Sequence, residues 1–174
     1  SWSPDGSQLA QVLSKDGNNE IYLRNADGTN LRRLTKNRDV DTSPAFSPDG
    51  TKLAFVSDRG GNPQIYTMDL SGYNVTRLSF QSGTISNPAW SPDGKRIAYV
   101  AEKRGEGLEI YVMNADGSGA RRLTNSQGSN ESPSWSPDSR HLVYFSTRNG
   151  QKSLYNFTLE TSEERRVPRL EMSC

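Results

Sequence analysis

Trp90-Ser91-Pro92-Asp93-Gly94 is the stretch that decides the fold, because close copies of it recur along the whole chain. The other copies are Trp2-Ser3-Pro4-Asp5-Gly6, Phe46-Ser47-Pro48-Asp49-Gly50 and Trp135-Ser136-Pro137-Asp138-Ser139, with their aromatic residues 44, 44 and 45 positions apart. Proline presets φ, aspartate accepts hydrogen bonds from nearby backbone, and glycine tolerates a positive φ, which together favour a tight turn between strands. Recurrence at a constant period indicates a repeat protein.

Two further landmarks keep phase with this turn. The first is Ile21-Tyr22, Ile65-Tyr66, Ile110-Tyr111 and Leu154-Tyr155; the second is Arg32-Arg33-Leu34-Thr35, Thr76-Arg77-Leu78-Ser79, Arg121-Arg122-Leu123-Thr124 and Arg165-Arg166-Val167-Pro168. The segments between turns are short and rich in aromatic and β-branched residues, which is typical of strands. In the second copy this pattern predicts strands over 43–46, 52–57, 64–69 and 75–78, and therefore four strands per repeat.

A period of 44 to 45 residues that holds four strands is typical of a β-propeller blade, because one blade must stack on its neighbours to bury its sheet. We predict an all-β fold, a β-propeller of four-stranded antiparallel blades in one region over 1–174. The blades are expected at approximately 1–42, 43–86, 87–131 and 132–174. The sequence leaves open a closed four-blade ring, self-association of two chains into an eight-blade ring, and a fragment of a larger propeller. We expect the fragment.

Composition excludes several classes of partner. With 21 basic and 20 acidic residues interspersed, the formal net charge of +1 provides no field to attract nucleic acid. No apolar stretch approaches the roughly 18 residues that span a bilayer, so we expect no membrane insertion. Cys174 is the only cysteine, which rules out an internal disulfide and a thiolate metal cluster.

The sequence predicts no catalytic residue, no cofactor and no metal ion. A G-x-S-x-G nucleophile motif is missing, and the only histidine, His141, lies in a predicted second strand, where a structural role is expected. Asp39 and Asp41 precede the first strand of the second copy without ordered ligand spacing, which favours a solvated acidic loop over a calcium or catalytic site. The arginine pairs fall on the predicted outermost strands, where charge deters edge-to-edge pairing.

Binding residues are expected in the loops that differ between copies. In a propeller, the loops between second and third strands share one face with the links between blades. These segments are 14–19, 58–63, 102–108 and 147–152, with 36–42, 80–87 and 125–132. The predicted partner-binding residues are Asp39, Asp41, Thr42, Arg59, Ser86, Asn87, Arg104, Glu131, Ser132 and Arg148. They suggest an acidic inner mouth with a basic rim.

The repeats resemble the blades of the TolB family, periplasmic propellers of the Tol-Pal envelope system, over essentially the whole chain. Shared elements are W-S-P-D-G, I-Y-x-M-N-x-D-G and R-R-L-T; the third copy matches best, and the fourth departs most by carrying Ser139 for glycine. The resemblance implies a non-enzymatic, periplasmic propeller that binds a Pal-like lipoprotein or another protein or peptide at the channel mouth. Similar blades in serine peptidases leave an alternative, an accessory or gating propeller of a larger enzyme.

Overall fold

The computed structural model describes residues 1–15, 17–103, 105 and 107–168, and these residues form strands and turns without a helix. The strands are β1 (Gln8–Leu13), β2 (Glu20–Asn25), β3 (Arg32–Arg33), β4 (Asp41–Phe46), β5 (Lys52–Ser57), β6 (Gln64–Asp69), β7 (Thr76–Arg77), β8 (Ile85–Trp90), β9 (Arg96–Lys103), β10 (Gly107–Asn114), β11 (Arg121–Arg122), β12 (Asn130–Trp135), β13 (His141–Ser146), β14 (Ser153–Thr158) and β15 (Glu163–Arg166).

Strands that follow one another in the chain pair antiparallel and form four separate sheets. The second (β4–β7), third (β8–β11) and fourth (β12–β15) sheets have four strands each, which confirms the predicted all-β blade architecture. The first sheet differs, because it contains only β1–β3 and its predicted first strand is reduced to a bridge between Trp2 and Leu9. In the second repeat, β4 begins at Asp41, two residues earlier than the prediction.

Each Ser-Pro-Asp-Gly turn is held by the same hydrogen bonds. In the second sheet, Ser47 Oγ donates to Asp49 Oδ1 at 2.6 Å and accepts from Lys52 N at 3.0 Å. Asp49 Oδ1 also accepts from Thr51 N at 3.0 Å. Gly50 closes the turn with a φ of 70°, a conformation that other residues adopt only with strain. The serine and aspartate side chains that recur in the sequence therefore make their hydrogen bonds within the turn itself.

The fourth turn differs by having Ser139 in place of glycine. Ser139 keeps the left-handed conformation, with a φ of 60°, and is buried. Its Oγ accepts a hydrogen bond of 3.0 Å from the backbone N of Asp93, which lies in the equivalent turn of the third sheet. The hydroxyl group thus links two neighbouring sheets, a contact that glycine cannot make.

The core lies between the sheets, which stack face to face in chain order. Leu53 and Phe55 of β5 pack against the first sheet, whereas Ala54, the residue between them, packs against the third. The same alternation in β9 and β13 builds the contact between the third and fourth sheets, where Ala98 meets Leu142. Among the described residues, no strand of the first sheet contacts the fourth sheet.

β4, β8 and β12 lie side by side along the inner edge of the stack, and β1, which corresponds to the second strand of the later sheets, also contacts β4. Three of these strands carry a β-bulge, where Ser43, Asn87 and Ser132 adopt positive φ values of 53°, 52° and 56°. A proline follows each of them and needs no partner for a backbone N–H. The bulges therefore place irregular backbone along the inner edge.

Candidate partner-binding face

Antiparallel pairing brings two sets of connections to the same end of the sheets. The link between β3 and β4 meets the loop between β5 and β6, since Asp58 Oδ1 accepts a hydrogen bond of 2.7 Å from Val40 N. Thr147 N likewise donates to Ser129 O at 3.0 Å. We call this end the upper face; its described segments are 14–15, 17–19, 34–40, 58–63, 78–84, 123–129 and 147–152.

Asp41 and Arg59 are brought together, but as an internal ion pair. Asp41 is fully buried as the first residue of β4, and Arg59 Nη2 lies 3.0 Å from its Oδ1. The guanidinium carbon is 5.2 Å and 5.0 Å from the ring centroids of Phe55 and Tyr66. The prediction of a solvated acidic loop is thus wrong for Asp41. Its carboxylate is buried at the start of β4 and pairs with Arg59 of the β5–β6 loop.

Arg148 repeats this arrangement in the fourth sheet. Asn130, buried at the position of Asp41, accepts from Arg148 Nη2 at 3.3 Å, and the Tyr144 hydroxyl accepts from the same nitrogen at 3.0 Å. Arg148 also pairs with Glu164, and its guanidinium carbon is 4.1 Å from the Tyr155 ring centroid. Burial, and then the negative charge of Glu109, raise the pKa of Glu164.

Sequence reasoning missed two buried glutamates beneath the upper face. Glu20 lies 2.5 Å from Arg33 Nη2, and Glu109 lies 2.6 Å from Arg122 Nη2. Glu109 also accepts from Asn130 Nδ2 at 2.9 Å and so connects the third sheet to the fourth. The sequence signal for these ion pairs is Glu-Ile-Tyr followed by Arg-Leu-Thr, which occurs in the first and third repeats.

Arg33 and Arg122, the second arginines of the pairs in the first and third repeats, therefore each compensate a buried carboxylate. This corrects the expectation that the pairs serve only to protect a sheet edge. The first arginine of each pair, Arg32 or Arg121, does lie exposed on an outermost strand.

The remaining predicted residues are spread over the inner strands and loops. Thr42, Ser86 and Glu131 are half-buried, whereas the bulge residues Asn87 and Ser132 are exposed. Glu131 is 3.5 Å from Lys152 Nζ, which lies 4.9 Å from the Phe145 ring centroid. Asp39 is half-buried, and its carbonyl accepts from Asn18 Nδ2 at 2.6 Å. Arg104 lies outside the described residues.

Phe80 is the upper-face residue that sequence reasoning overlooked. It is 75% exposed, and the Arg77 guanidinium carbon lies 4.7 Å from its ring centroid. Arg77 is itself oriented by a hydrogen bond of 2.8 Å from its Nε to Ser79 O. Aligning the copies could have identified Phe80, because the first and third copies have the polar residues Lys36 and Asn125 at its position. An aromatic ring held by arginine is a frequent anchor in protein interfaces.

Within the described residues, no three histidine, cysteine, aspartate or glutamate side chains come together as a metal site. His141 lies in β13, as predicted, with its Nδ1 3.2 Å from Thr158 Oγ1. In the same part of the chain there is no helix with the length and apolarity needed to cross a membrane.

Comparison with known proteins identifies the repeats. The model of the "TolB beta propeller domain" family matches residues 1–107 and 81–172. The Tol-Pal system protein TolB of Geobacter sulfurreducens is 47% identical over 43 residues, which are 25% of this chain and 10% of that protein.

Solved structures extend the likeness to nearly the whole chain. TolB from Acinetobacter baumannii superposes with a TM-score of 0.85 at 31% identity, over 97% of this chain and 42% of that one. A putative TolB from Agrobacterium tumefaciens gives 0.82 at 27% identity, over 95% and 62%. This chain therefore spans less than two thirds of the length of these relatives.

More distant likeness shows the fold alone. A puromycin-hydrolyzing peptidase from Mycobacterium tuberculosis superposes with a TM-score of 0.74 at 19% identity, over 95% of this chain and 31% of the peptidase. Blades of this kind are therefore found both in TolB proteins and in a peptidase, and the fold alone does not decide the function.

Proposed function

Because the chain belongs to the family of TolB beta propeller domains, we propose that it is a non-enzymatic module that binds a protein or peptide at its upper face. The proposed setting is a Tol-Pal system in the periplasm, with a Pal-like lipoprotein as the partner. This setting rests on the resemblance to the TolB proteins of Geobacter and Acinetobacter, whose names place them in that family.

The observation that carries the proposal is the contrast between Phe80 and the arginines of the upper face. Arg59 and Arg148 bind side chains of their own sheets, so much of their hydrogen-bonding capacity is already used. Phe80 has no such internal role, since three quarters of its surface is open to solvent. Covering an aromatic ring next to an arginine is worth more to a protein partner than contacting a satisfied ion pair.

Isothermal titration calorimetry with the soluble domain of a Pal-like lipoprotein tests the proposal. The variant Phe80→Asn introduces the residue that the third copy has at Asn125, so the sheet is expected to fold normally. We expect it to weaken binding by about tenfold or more, as for an interface anchor. Lys95→Ala, an exposed change in the turn at the opposite end, is the matched control.

Undetectable binding by the unmodified chain, or equal affinities of the Phe80→Asn and Lys95→Ala variants, would contradict the proposal. The alternative, an accessory propeller of a larger enzyme such as a serine peptidase, predicts a hydrolase domain in the complete gene product. Finding that domain encoded in the same reading frame would favour the alternative over a Tol-Pal role.

A further inference from the structure

A groove of about 300 Å³ opens on the outer side of the stack between the first and second sheets. Tyr73 and Val75 of the second sheet form one wall, and Leu34, Thr35 and Lys36 of the first sheet form the other. Both walls belong to sheets that are packed against each other, so the groove is separate from the uncovered faces at either end of the stack. It is also distinct from Phe80.

Tyr73 stands out because its position has an architectural role in the other copies. Thr29 in the first sheet donates to Asp27 Oδ1 at 2.6 Å, and Ser118 in the third donates to Asp116 Oδ1 at 2.6 Å. The second sheet has Ser71 at the position of Asp27 and Asp116, and its turn carboxylate is that of Asp69, two residues earlier, which accepts hydrogen bonds from the Ser71 hydroxyl and from Asn74 Nδ2. The Tyr73 side chain is thus released from the turn, and it is 73% exposed.

The backbone of the turn that carries Tyr73 packs closely against the first sheet. Gly72 has a φ of 86°, and a Cβ on it would lie 2.5 Å from the carbonyl oxygen of Leu34. Only glycine fits this approach, so the groove floor is formed by backbone that cannot easily shift. A preformed wall lowers the entropy that a ligand loses on binding.

The charged residues that line the groove are all cations. They are Arg33, Lys36 and Arg59, and the carboxylates that pair with the two arginines, Glu20 and Asp41, are buried behind them. Arg33 and Arg59 keep 23% and 22% of their side chains exposed. Lys36 is exposed, and it forms no ion pair within the part of the chain that the structure describes. A carboxylate entering the groove would therefore meet cations and no anion.

From this combination we propose that the groove binds an acidic peptide segment of a protein partner, with an apolar side chain against Tyr73 and Val75 and a carboxylate near Lys36. Tyrosine contributes a large, rigid apolar surface to such contacts. The groove shares residues 34–37 and Arg59 with the upper face, but Tyr73 and Val75 lie outside the upper-face segments and Phe80 does not line the groove.

Fluorescence anisotropy tests the groove with a labelled peptide of alternating glutamate and leucine, against a peptide with glutamine for glutamate. Tyr73→Ser installs the residue of the third copy and offers Asp69 a hydroxyl, so loss of folding is not expected. We expect Tyr73→Ser and Lys36→Glu each to weaken the glutamate peptide about tenfold, and the glutamine peptide to bind about tenfold more weakly than the glutamate peptide. Lys95→Ala, in the exposed turn at the opposite end, is the matched control and should leave peptide binding unchanged.

Equal binding of the two peptides, or full binding by Tyr73→Ser, would overturn the inference. Co-sedimentation with phosphatidylglycerol vesicles that Lys36→Glu abolishes, without any peptide binding, would also overturn it in favour of a lipid surface. If Phe80→Asn loses the Pal-like domain but keeps the peptide, the two sites are separate, and either one can fail without the other.

Discussion

At the scale of single residues, the serine and aspartate side chains that recur in every copy hydrogen-bond to each other within their turn. The pKa of Asp49 is lowered by the hydrogen bond from the Ser47 hydroxyl, followed by the bonds from Thr51. Ser136 lowers the pKa of Asp138 in the same way. Residues that depart from the repeat are the informative ones, as Ser139, Tyr73 and Phe80 illustrate.

Replacement of Ser139 separates backbone strain from hydrogen bonding. Ser139→Ala keeps the left-handed conformation but leaves Asp93 N without its acceptor, so we expect a loss of about 1–2 kcal/mol in the free energy of unfolding. Ser139→Gly loses the same bond but relieves the strain, and should stay within about 0.5 kcal/mol of the unmodified chain. Urea denaturation measures both values; equal losses in the two variants would show that strain at this position is negligible.

At the scale of strands and loops, buried ion pairs attach the loops of the upper face to the inner strands. Arg59 reaches from the β5–β6 loop to Asp41 at the start of β4, while Asn37 Nδ2 donates to the other carboxylate oxygen at 2.8 Å. The third sheet has Ile85 at the same place, also buried. The fold therefore accepts an apolar residue here, and what it does not tolerate is a buried charge without a partner.

A double-mutant cycle at this pair tests that statement. Arg59→Leu leaves the Asp41 carboxylate buried and unpaired, so we expect a loss of about 3–5 kcal/mol in the free energy of unfolding. Adding Asp41→Ile, which copies the third sheet, should restore at least about 2 kcal/mol of that loss, because the uncompensated charge is gone. Chemical denaturation of four chains, the unmodified one, the two single variants and the double variant, gives the coupling energy. Strictly additive losses would mean that the pair does not interact.

At the scale of the whole molecule, four sheets stack in sequence through three apolar clusters. The outer faces of the first and fourth sheets remain uncovered among the described residues, with Trp2 57% and Phe145 40% exposed. Exposed apolar sheet faces favour association, so self-association stays a prediction for this chain.

The turn carboxylates of all the sheets together predict sensitivity to acid. The pKa values of Asp5, Asp27, Asp49, Asp69, Asp116 and Asp138 are all lowered, that of Asp5 to about 2, chiefly by hydrogen bonds from serine or threonine. A carboxylate with a lowered folded-state pKa stabilises the fold above its ordinary pKa, near 3.8, and this stabilisation is lost as the pH falls through the folded-state value.

We therefore expect the thermal denaturation midpoint to fall steeply between about pH 4 and pH 2. A variant with Asp5→Asn and Asp49→Asn should show a shallower fall, because two of the carboxylates no longer titrate. Circular dichroism melts over this pH range provide the measurement, with Lys95→Ala as the control. An unchanged pH profile in the double variant would indicate that other groups control acid unfolding.

Much of the fold follows from local rules that a sequence displays directly. Pro-Asp-Gly chemistry predicted the turns, and the alternation of side chains along a strand explains why Leu53 and Phe55 face one neighbouring sheet and Ala54 the other. The first strand of the first repeat is an exception to the predicted four strands per repeat. It forms only the single bridge between Trp2 and Leu9. Strand ends were less certain, because the bulges at Ser43, Asn87 and Ser132 displace the inner strands from a simple pattern.

The sequence by itself determined the repeat, the strand order within a sheet and the family resemblance, because turn formation and strand alternation depend on neighbouring residues. Only the tertiary structure decided which charges are available to a partner. Asp41 pairs with Arg59 across 18 residues, and Glu109 binds Asn130 of the next sheet. The same structure leaves Phe80 and Tyr73 exposed, since exposure is set by the packing of neighbouring sheets rather than by residue type.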